Sequence, residues 1–502
     1  MGLRTVAASL LACAALSGCG SAGAPSAAST EPLAPAGTLI YLELTVRPQG
    51  NQRADVESAL TRLLGHSPDA AIQRAVARLS RRAGLSYQRD LAPWLGQHVA
   101  LVVRSFSPGG FGLIAPTGDP SAGLRALQRV ERGAHLRPAR YAGVGYQVGS
   151  DRGSPVAIGI VGHSAVIAGP PTFTAIVDAY HGRSIATDPA FASAIAALPP
   201  AALVKGYLDA SALAGAVRGA LGSLPGVGGL PAGVLGQVDA ALRRLHGALT
   251  FAVSAGSRSF SVDLHRGVAR PAAPADVSAA PEASWLALAS SGPGRGAGLG
   301  LVGAALEHSP AGQALLARIR SRTGLDLIHD ILPALGPLRI SVQGTSLLSL
   351  GAGLVMTPAD LAAAGRLLAG IHRLAARSSG LTVKGGDRAF SIAKAGLPIP
   401  RVLVALLGRR LVATVDESFA ALLSPPARLA SNPDFTRALR SLPAASRASV
   451  FLDFRALGTL LGQIPSLASP RDRRILQVLA RLDYLIAGSD GRSDTRVVLA
   501  LR

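Results

Sequence analysis

Apolar and polar positions alternate in short blocks along this chain, and the blocks predict its elements. Residues 39–45 and 284–289 read as short strands. Two helical patterns follow the first of them, over 53–65 and 69–83. In the second pattern Ile72, Ala75, Val76 and Leu79 share one face, while Arg74, Arg78, Arg81 and Arg82 share another. Strands are expected near 97–104 and 111–115, and a helix at Asp119-Pro120 with a partner at Thr357-Pro358. A strand meander over 143–168 is matched by one over 380–414. Two short helices, a strand, two further helices and a closing hairpin (247–266 and 483–501) complete each pattern. Hairpin-linked strands beside grouped helices predict an α+β fold built on mainly antiparallel sheets.

The pattern occurs twice. Asp90-Leu91-Ala92-Pro93-Trp94-Leu95-Gly96 reappears as Asp330-Ile331-Leu332-Pro333-Ala334-Leu335-Gly336. Asp188-Pro189-Ala190-Phe191 returns as Asn432-Pro433-Asp434-Phe435, and Tyr207-Leu208-Asp209 as Phe451-Leu452-Asp453. The order is kept throughout, as an internal repeat requires. We therefore expect two tandem homologous modules, 37–268 and 282–502, joined by a Pro/Ala-rich linker at 269–281.

Composition sharpens this picture. Of the residues 49% are hydrophobic and only 16% charged, which excludes a disordered chain. Aromatics make up 4%, so the core must be built from Ala, Leu, Val and Ile. The net charge of +21 comes almost wholly from arginine, the lysines being Lys205, Lys384 and Lys394. It draws anionic polymers and lipid headgroups. There is no basic run and no aromatic residues interleaved with the arginines, so nucleic-acid binding is not expected.

The N-terminus reads as an address. Arg4 precedes an apolar stretch, Val6 to Leu16, too short to span a bilayer. Leu16-Ser17-Gly18-Cys19 then resembles a bacterial lipobox. On that reading residues 1–18 are a lipoprotein signal peptide, Cys13 is discarded with it, and Cys19 becomes the lipidated N-terminus. Residues 19–36 would be the lipidated Cys and a flexible, Pro-punctuated tether. With both cysteines in this segment, the body has no disulfide and no thiol nucleophile.

The remaining motifs favour folding roles. Asp209 and Asp453 precede helical patterns, where a carboxylate accepts the free N–H groups of the first turn. Asp188-Pro189, Asn432-Pro433, Ser67-Pro68 and Ser309-Pro310 are the same device. In the Asp-x-x-Pro-Trp-Leu-Gly string, Leu91, Trp94 and Leu95 are expected to anchor a corner, with Pro93 fixing φ and Gly96 taking a positive φ. The second copy keeps Asp330, Pro333 and Gly336 but has Ala334 in place of the indole. Gly298, Gly300 and Gly303 match a dinucleotide fingerprint only formally, since strands and helices do not alternate around them. The ten histidines show no i, i+3 or i+4 pair, so no metal site and no cofactor is expected. Residues 219–238 carry no charge. Leu224, Val227, Leu230, Val234 and Leu235 are there a candidate apolar ligand-binding loop, or else a packed connector. Residues 456–470 form a second uncharged stretch.

Arg47-Pro48-x-Gly50-Asn51-Gln52, the Asp90 to Gly96 corner and the doubled layout together resemble a bacterial family of extracytoplasmic proteins, domain of unknown function 3352. The resemblance implies fold and compartment and brings no catalytic residues. The expectation is a non-enzymatic lipoprotein on the extracytoplasmic face of the cell membrane, anchored through its N-terminal lipid. Its ligand would be a lipid, a glycolipid or an anionic wall polymer. A scaffold for an envelope protein is the alternative, and a hydrolase a third reading.

Overall fold

The computed structural model describes residues 29–68, 87–151, 153–223, 247–267, 275–292, 310–346, 348–394, 401–415, 419–464 and 469–502. They fall into two compact units, one drawn from described residues up to 267 and the other from 275 onward. The signal segment, Cys19, the 69–83 helical pattern, the glycine fingerprint and the candidate loop Leu224 to Leu235 lie outside the described residues.

In the first unit the strands are β1 (Ile40–Thr45), β2 (His98–Val103), β3 (Phe111–Pro116), β4 (Arg137–Tyr141), β5 (Val144–Asp151), β6 (Ser154–Val161), β7 (Ser164–Ala168), β8 (Val204–Asp209), β9 (Ala248–Gly256) and β10 (Ser259–Arg266). They pair in the order β4-β5-β6-β7-β3-β2-β1-β8-β9-β10, every neighbour antiparallel. Helices α1 (Gly50–Leu64), α2 (Pro120–Val130), α3 (Pro170–Tyr180), α4 (Pro189–Ala196) and α5 (Ala210–Ser223) accompany them.

The second unit repeats this arrangement. Its strands are β11 (Ser284–Ser290), β12 (Leu338–Gln343), β13 (Gly351–Met356), β14 (Leu381–Gly386), β15 (Ala389–Lys394), β16 (Val402–Leu407), β17 (Arg410–Val415), β18 (Arg447–Asp453), β19 (Leu482–Ser489) and β20 (Asp494–Leu501). Their order, β14-β15-β16-β17-β13-β12-β11-β18-β19-β20, is that of the first unit strand for strand, again antiparallel. Its helices are α6 (Pro310–Thr323), α7 (Leu361–Arg377), α8 (Phe419–Leu423), α9 (Pro433–Leu439), α10 (Phe454–Leu461) and α11 (Pro470–Leu479). The α+β class and its antiparallel pairing are as expected.

The middle of the first sheet is buried on both faces. Alternate residues divide between two cores. Ile114, Val166, Ala168 and Ala157 pack with Phe173, Ile176 and Phe191 of α3 and α4. Leu113, Ala115, Ala165 and Ile167 pack with Trp94, Ala126 and Leu127. This double burial explains why these strands read as nearly continuous apolar runs.

Four local expectations need correction. Residues 29–36, expected to be tether, belong to the first unit: Thr30, Leu33 and Ala34 are buried. Pro35 bridges to Ser184, and the Ile185 N–H donates to the Ala34 carbonyl at 2.8 Å. The second unit repeats the arrangement inside the expected linker. Val277 and Ala280 are buried, Pro281 bridges to Arg428, and the Leu429 N–H donates to Ala280 at 2.7 Å. Proline makes both segments resemble linkers, but it also suits an entering chain that forms few ladder bonds.

The helix expected at Thr357-Pro358 starts at Leu361 instead. The Thr357 N–H is spent on the Pro337 carbonyl at 2.8 Å, and Asp360 is the cap, accepting from Ala363 N at 3.0 Å. Gly96 is not among the positive-φ residues. It is required by close approach: its N–H donates to the Pro116 carbonyl at 2.8 Å, and a Cβ there would lie 2.6 Å from that oxygen. At Gly336 a Cβ would lie 1.9 Å from the Thr357 oxygen.

Candidate functional site

The carboxylates that sequence singles out are fixed by the fold. Asp209 accepts from Ala212 N at 2.9 Å, Asp453 from Arg455 N at 2.7 Å and Asp188 from Ala190 N at 2.8 Å. Each caps a helix. Asn432 caps α9 through Asp434 N and Phe435 N.

The corner residues Asp90, Pro93, Trp94 and Gly96 come together. The Trp94 indole N–H donates to the Asp90 carbonyl at 2.6 Å, and the indole is 4% exposed. The buried Asp90 carboxylate receives Arg129 from α2, and Arg47 donates to the Ala92 carbonyl. In the second unit Arg366 of α7 reaches Asp330 at 2.8 Å and the His329 carbonyl at 2.9 Å. Sequence reading missed both arginines, because a partner some forty residues downstream leaves no local pattern. The loss of the indole in the second copy also has a structural reason. Trp94 lies over Gly123 of α2, whereas Ala334 packs against Ala363 and Ala364 of α7. A large side chain over a small one is exchanged for alanines on both sides.

A second constellation was not singled out, although a glutamate inside the apolar run at 39–46 is a signal for it. Tyr41 and Glu43 share one face of β1. Thr30, from the entering segment, donates to Glu43 Oε2 at 2.6 Å, and the Tyr41 hydroxyl donates to the same oxygen at 2.8 Å. The Thr30 and Tyr41 hydroxyls are themselves 2.6 Å apart. His98 Nδ1 stands 3.9 Å from Glu43 Oε1, and Lys205 is opposite Glu43 in the β1–β8 register.

Burial, reinforced by the Glu43 charge, pushes the Tyr41 phenol well above its usual value of 10.0. Burial lowers His98 from 6.5, against the pull of Glu43 and with the help of Lys205. Glu31 is raised from 4.5 by burial and by Glu43, while Lys205 lowers it. Near neutral pH the phenol thus keeps its proton and the imidazole is uncharged. Neither is activated as a nucleophile, and Glu43 serves as an acceptor for two hydroxyls.

The matching register of the second unit pairs Ala287 with Phe451, as Tyr41 pairs with Tyr207. Ala287 and Ala289 therefore stand where Tyr41 and Glu43 stand. The clamp belongs to the unit that follows the N-terminal segment and not to its copy. Among the described residues no three His, Cys, Asp or Glu side chains gather as metal ligands. No helix among them is long and apolar enough to cross a membrane.

Residues 67–232, which hold the Asp90 to Gly96 corner, match the family model described as Protein of unknown function (DUF3352). Over that span the chain is similar to the DUF3352 family. The family resemblance read from the sequence is thereby borne out. The DUF3352 match lies within the first copy of the repeat. No curated protein matches the chain. A solved structure titled "Structure of crystal form I of TP0453" is similar at 13% identity, over 50% of this chain and 81% of that one. Its TM-score of 0.24 is too low to bear on fold or function.

Proposed function

We propose that this protein is a lipoprotein anchored to the extracytoplasmic face of the cell membrane through Cys19, binding an apolar or anionic envelope ligand without catalysing a reaction. The observation that carries the reading is the Thr30–Tyr41–Glu43 clamp. It fixes the chain to the first sheet only eleven positions after the lipobox cysteine. A chain of that length reaches at most about 40 Å when fully extended. The folded unit is then held within that distance of the bilayer. The basic surface, with a net charge of +21, suits anionic lipid or wall polymer. The capping roles of Asp188, Asp209 and Asp453, and the protonated phenol beside Glu43, support a non-catalytic protein.

A scaffold is the second reading, favoured by the outer hairpin of the first unit. There β4 is almost wholly exposed and pairs, among the described strands, with β5 on one side only. Such an edge can accept a strand from a partner.

Intact-mass analysis of the protein purified from membranes tests the anchor. The expected species begins at Cys19 and carries a diacylglyceryl group, and an unmodified chain would sink the reading. Mass spectrometry of an organic extract tests the ligand. A stoichiometric lipid is expected, whereas an empty extract from folded protein would favour the scaffold.

A further inference from the structure

The second unit carries three arginines where the first has small buried residues. Strand pairing fixes the correspondence. Arg339 of β12 lies opposite Ala289, as Ala100 of β2 lies opposite Glu43. Arg410 stands two residues before Val412, which meets Val355 as Val166 meets Ile114, so its counterpart is Ser164. Arg428 bridges to Pro281 as Ser184 bridges to Pro35. Ala100, Ser164 and Ser184 are all buried in the first unit. The shared fold thus needs no charge at any of the three places.

The second unit brings the three together over one face of its sheet. Val355 lies between Arg339 and Val412 in the β12-β13-β17 ladder, so Arg339, Val412 and, two positions along, Arg410 share that face. The opposite face carries Met356 and Leu411, which pack with Leu368 of α7. Arg428 and Asp276 belong to the segments that cover the arginine face, next to Leu429 and Val277, which pack with Ala287. Arg339 is half-buried. Its Nε is buried without a hydrogen-bond partner, and one terminal nitrogen reaches the Leu422 carbonyl of α8 at 3.5 Å. Burial and the charge of Arg410 hold its guanidinium below the ordinary arginine value; Asp276 opposes them and Arg428 adds to them. Arg410 and Arg428 are exposed, and among the described residues neither side chain has a hydrogen bond or ion pair. Asp276 accepts from the Ser278 N–H at 2.8 Å.

Three guanidinium groups against one carboxylate leave two positive charges uncompensated. A partly desolvated cation repelled by its neighbours destabilises the fold, and packing gives no reason for it. Guanidinium forks donate in pairs to carboxylate and phosphate oxygens. A carboxylate brings one charge and two oxygens. A phosphate monoester brings nearly two charges at neutral pH and three acceptor oxygens, which matches the charge excess and the number of donors. We propose that Arg339, Arg410 and Arg428 form a binding site for a phosphate monoester group, with half-buried Arg339 at its floor and exposed Arg410 and Arg428 at its rim. This deepens the anionic-ligand reading above, on which the envelope origin of the phosphate rests. The first unit, with Glu43 on the matching face, has no such site.

The test titrates inorganic phosphate into the full chain in a non-ionic detergent, by calorimetry, with chloride holding the ionic strength constant. Saturable binding at one site is expected. Arg339→Met and Arg410→Gln should each weaken it about tenfold. Arg474→Gln, which removes the same charge from exposed α11, should leave it unchanged. Without phosphate, Arg339→Met should unfold at or above the parent's temperature, because it relieves the repulsion. An arginine kept for folding would do the reverse, lowering that temperature and leaving phosphate affinity as it was. Arg410 is exposed, so its variant decides the matter if the Arg339 variant does not fold. Dihexanoyl phosphatidic acid, a soluble lipid monoester, identifies the source. Tighter binding than inorganic phosphate assigns the site to a lipid headgroup, and equal or weaker binding to a free phosphate. No saturable binding by the parent, or parental affinity in both variants, would overturn the proposal. That result would leave the Cys19 anchor and any lipid in the organic extract standing, and an empty extract would in turn leave the phosphate titration intact.

Discussion

Arg366 donates to the Asp330 carboxylate at 2.8 Å, as Arg129 does to Asp90 in the other copy of the corner. The two pairs differ in burial. The Asp90 side chain is 3% exposed and that of Asp330 18%. Removing a partner of a buried charge weakens its compensation, here leaving Arg89 at 3.4 Å from Asp90, whereas a more exposed pair is screened by water. Arg129→Met should therefore cost about 2 kcal/mol, and Arg366→Met about 1 kcal/mol or less. Urea unfolding of the two variants checks this, and equal losses would contradict it.

The clamp predicts local opening without global unfolding. Thr30→Val removes a hydroxyl that donates to Glu43, a loss of about 1.5 kcal/mol for a hydrogen bond to a charged group. The amides of Ala34 and Ala36, bonded to Glu31 and Arg183, should then exchange about tenfold faster. Amides of β12 in the second unit should not change. Unaltered exchange at Ala34 and Ala36 would show that the buried proline-flanked segment holds itself in place.

Glu131 gives the pH dependence. This buried carboxyl is pushed up to about 7, first by burial and then by the charge of Asp151. The folded state thus holds the proton up to a higher pH than the unfolded state, whose value is 4.5. The stabilising contribution is complete below 4.5 and is lost as pH rises to about 7, amounting to roughly 3 kcal/mol. His98 acts in the opposite direction. Its folded value lies below 6.5, so its contribution is present above 6.5 and is lost as pH falls below it. In Glu131→Gln the loss between 4.5 and 7 should vanish, leaving the variant more stable than the parent at pH 8. Denaturant midpoints at three pH values decide it; a variant with the parent's slope would refute the assignment.

Gly96→Ala and Gly336→Ala should both destabilise, by about 2 kcal/mol or more, because a backbone oxygen occupies the place of the new methyl. Gly118→Ala, in the loop just after β3, meets open space and should be close to neutral. Thermal unfolding of the three variants separates steric approach from backbone freedom as the reason for the conserved spacing between the two copies.

Much of the fold was legible in the residues. The repeated strings set two copies in register, and the strand order proves identical between them. Helix caps at Asp119, Asp188, Asn432 and Asp453 were readable because capping is local. The misreadings were non-local. The segments 29–36 and 275–281 look like linkers by composition, and only their contacts with Ser184 and Arg428 make them part of the units. Arg129 and Arg366 were invisible for the same reason. Thr30, Tyr41 and Glu43 meet only when the entering segment lies over β1. Of the candidate site, the caps and corners could be read in advance and the clamp could not.

The entering segment also decides how the first unit would respond to tension. A pull applied at residue 29 meets the Thr30 hydroxyl contacts first and then the Ala34–Ile185 bond, before it reaches β1. That strand sits between β2 and β8, with ladders on both sides, so it cannot be peeled from an edge. Such a pull would be absorbed by a short sacrificial strap, while the sheet behind it kept its register.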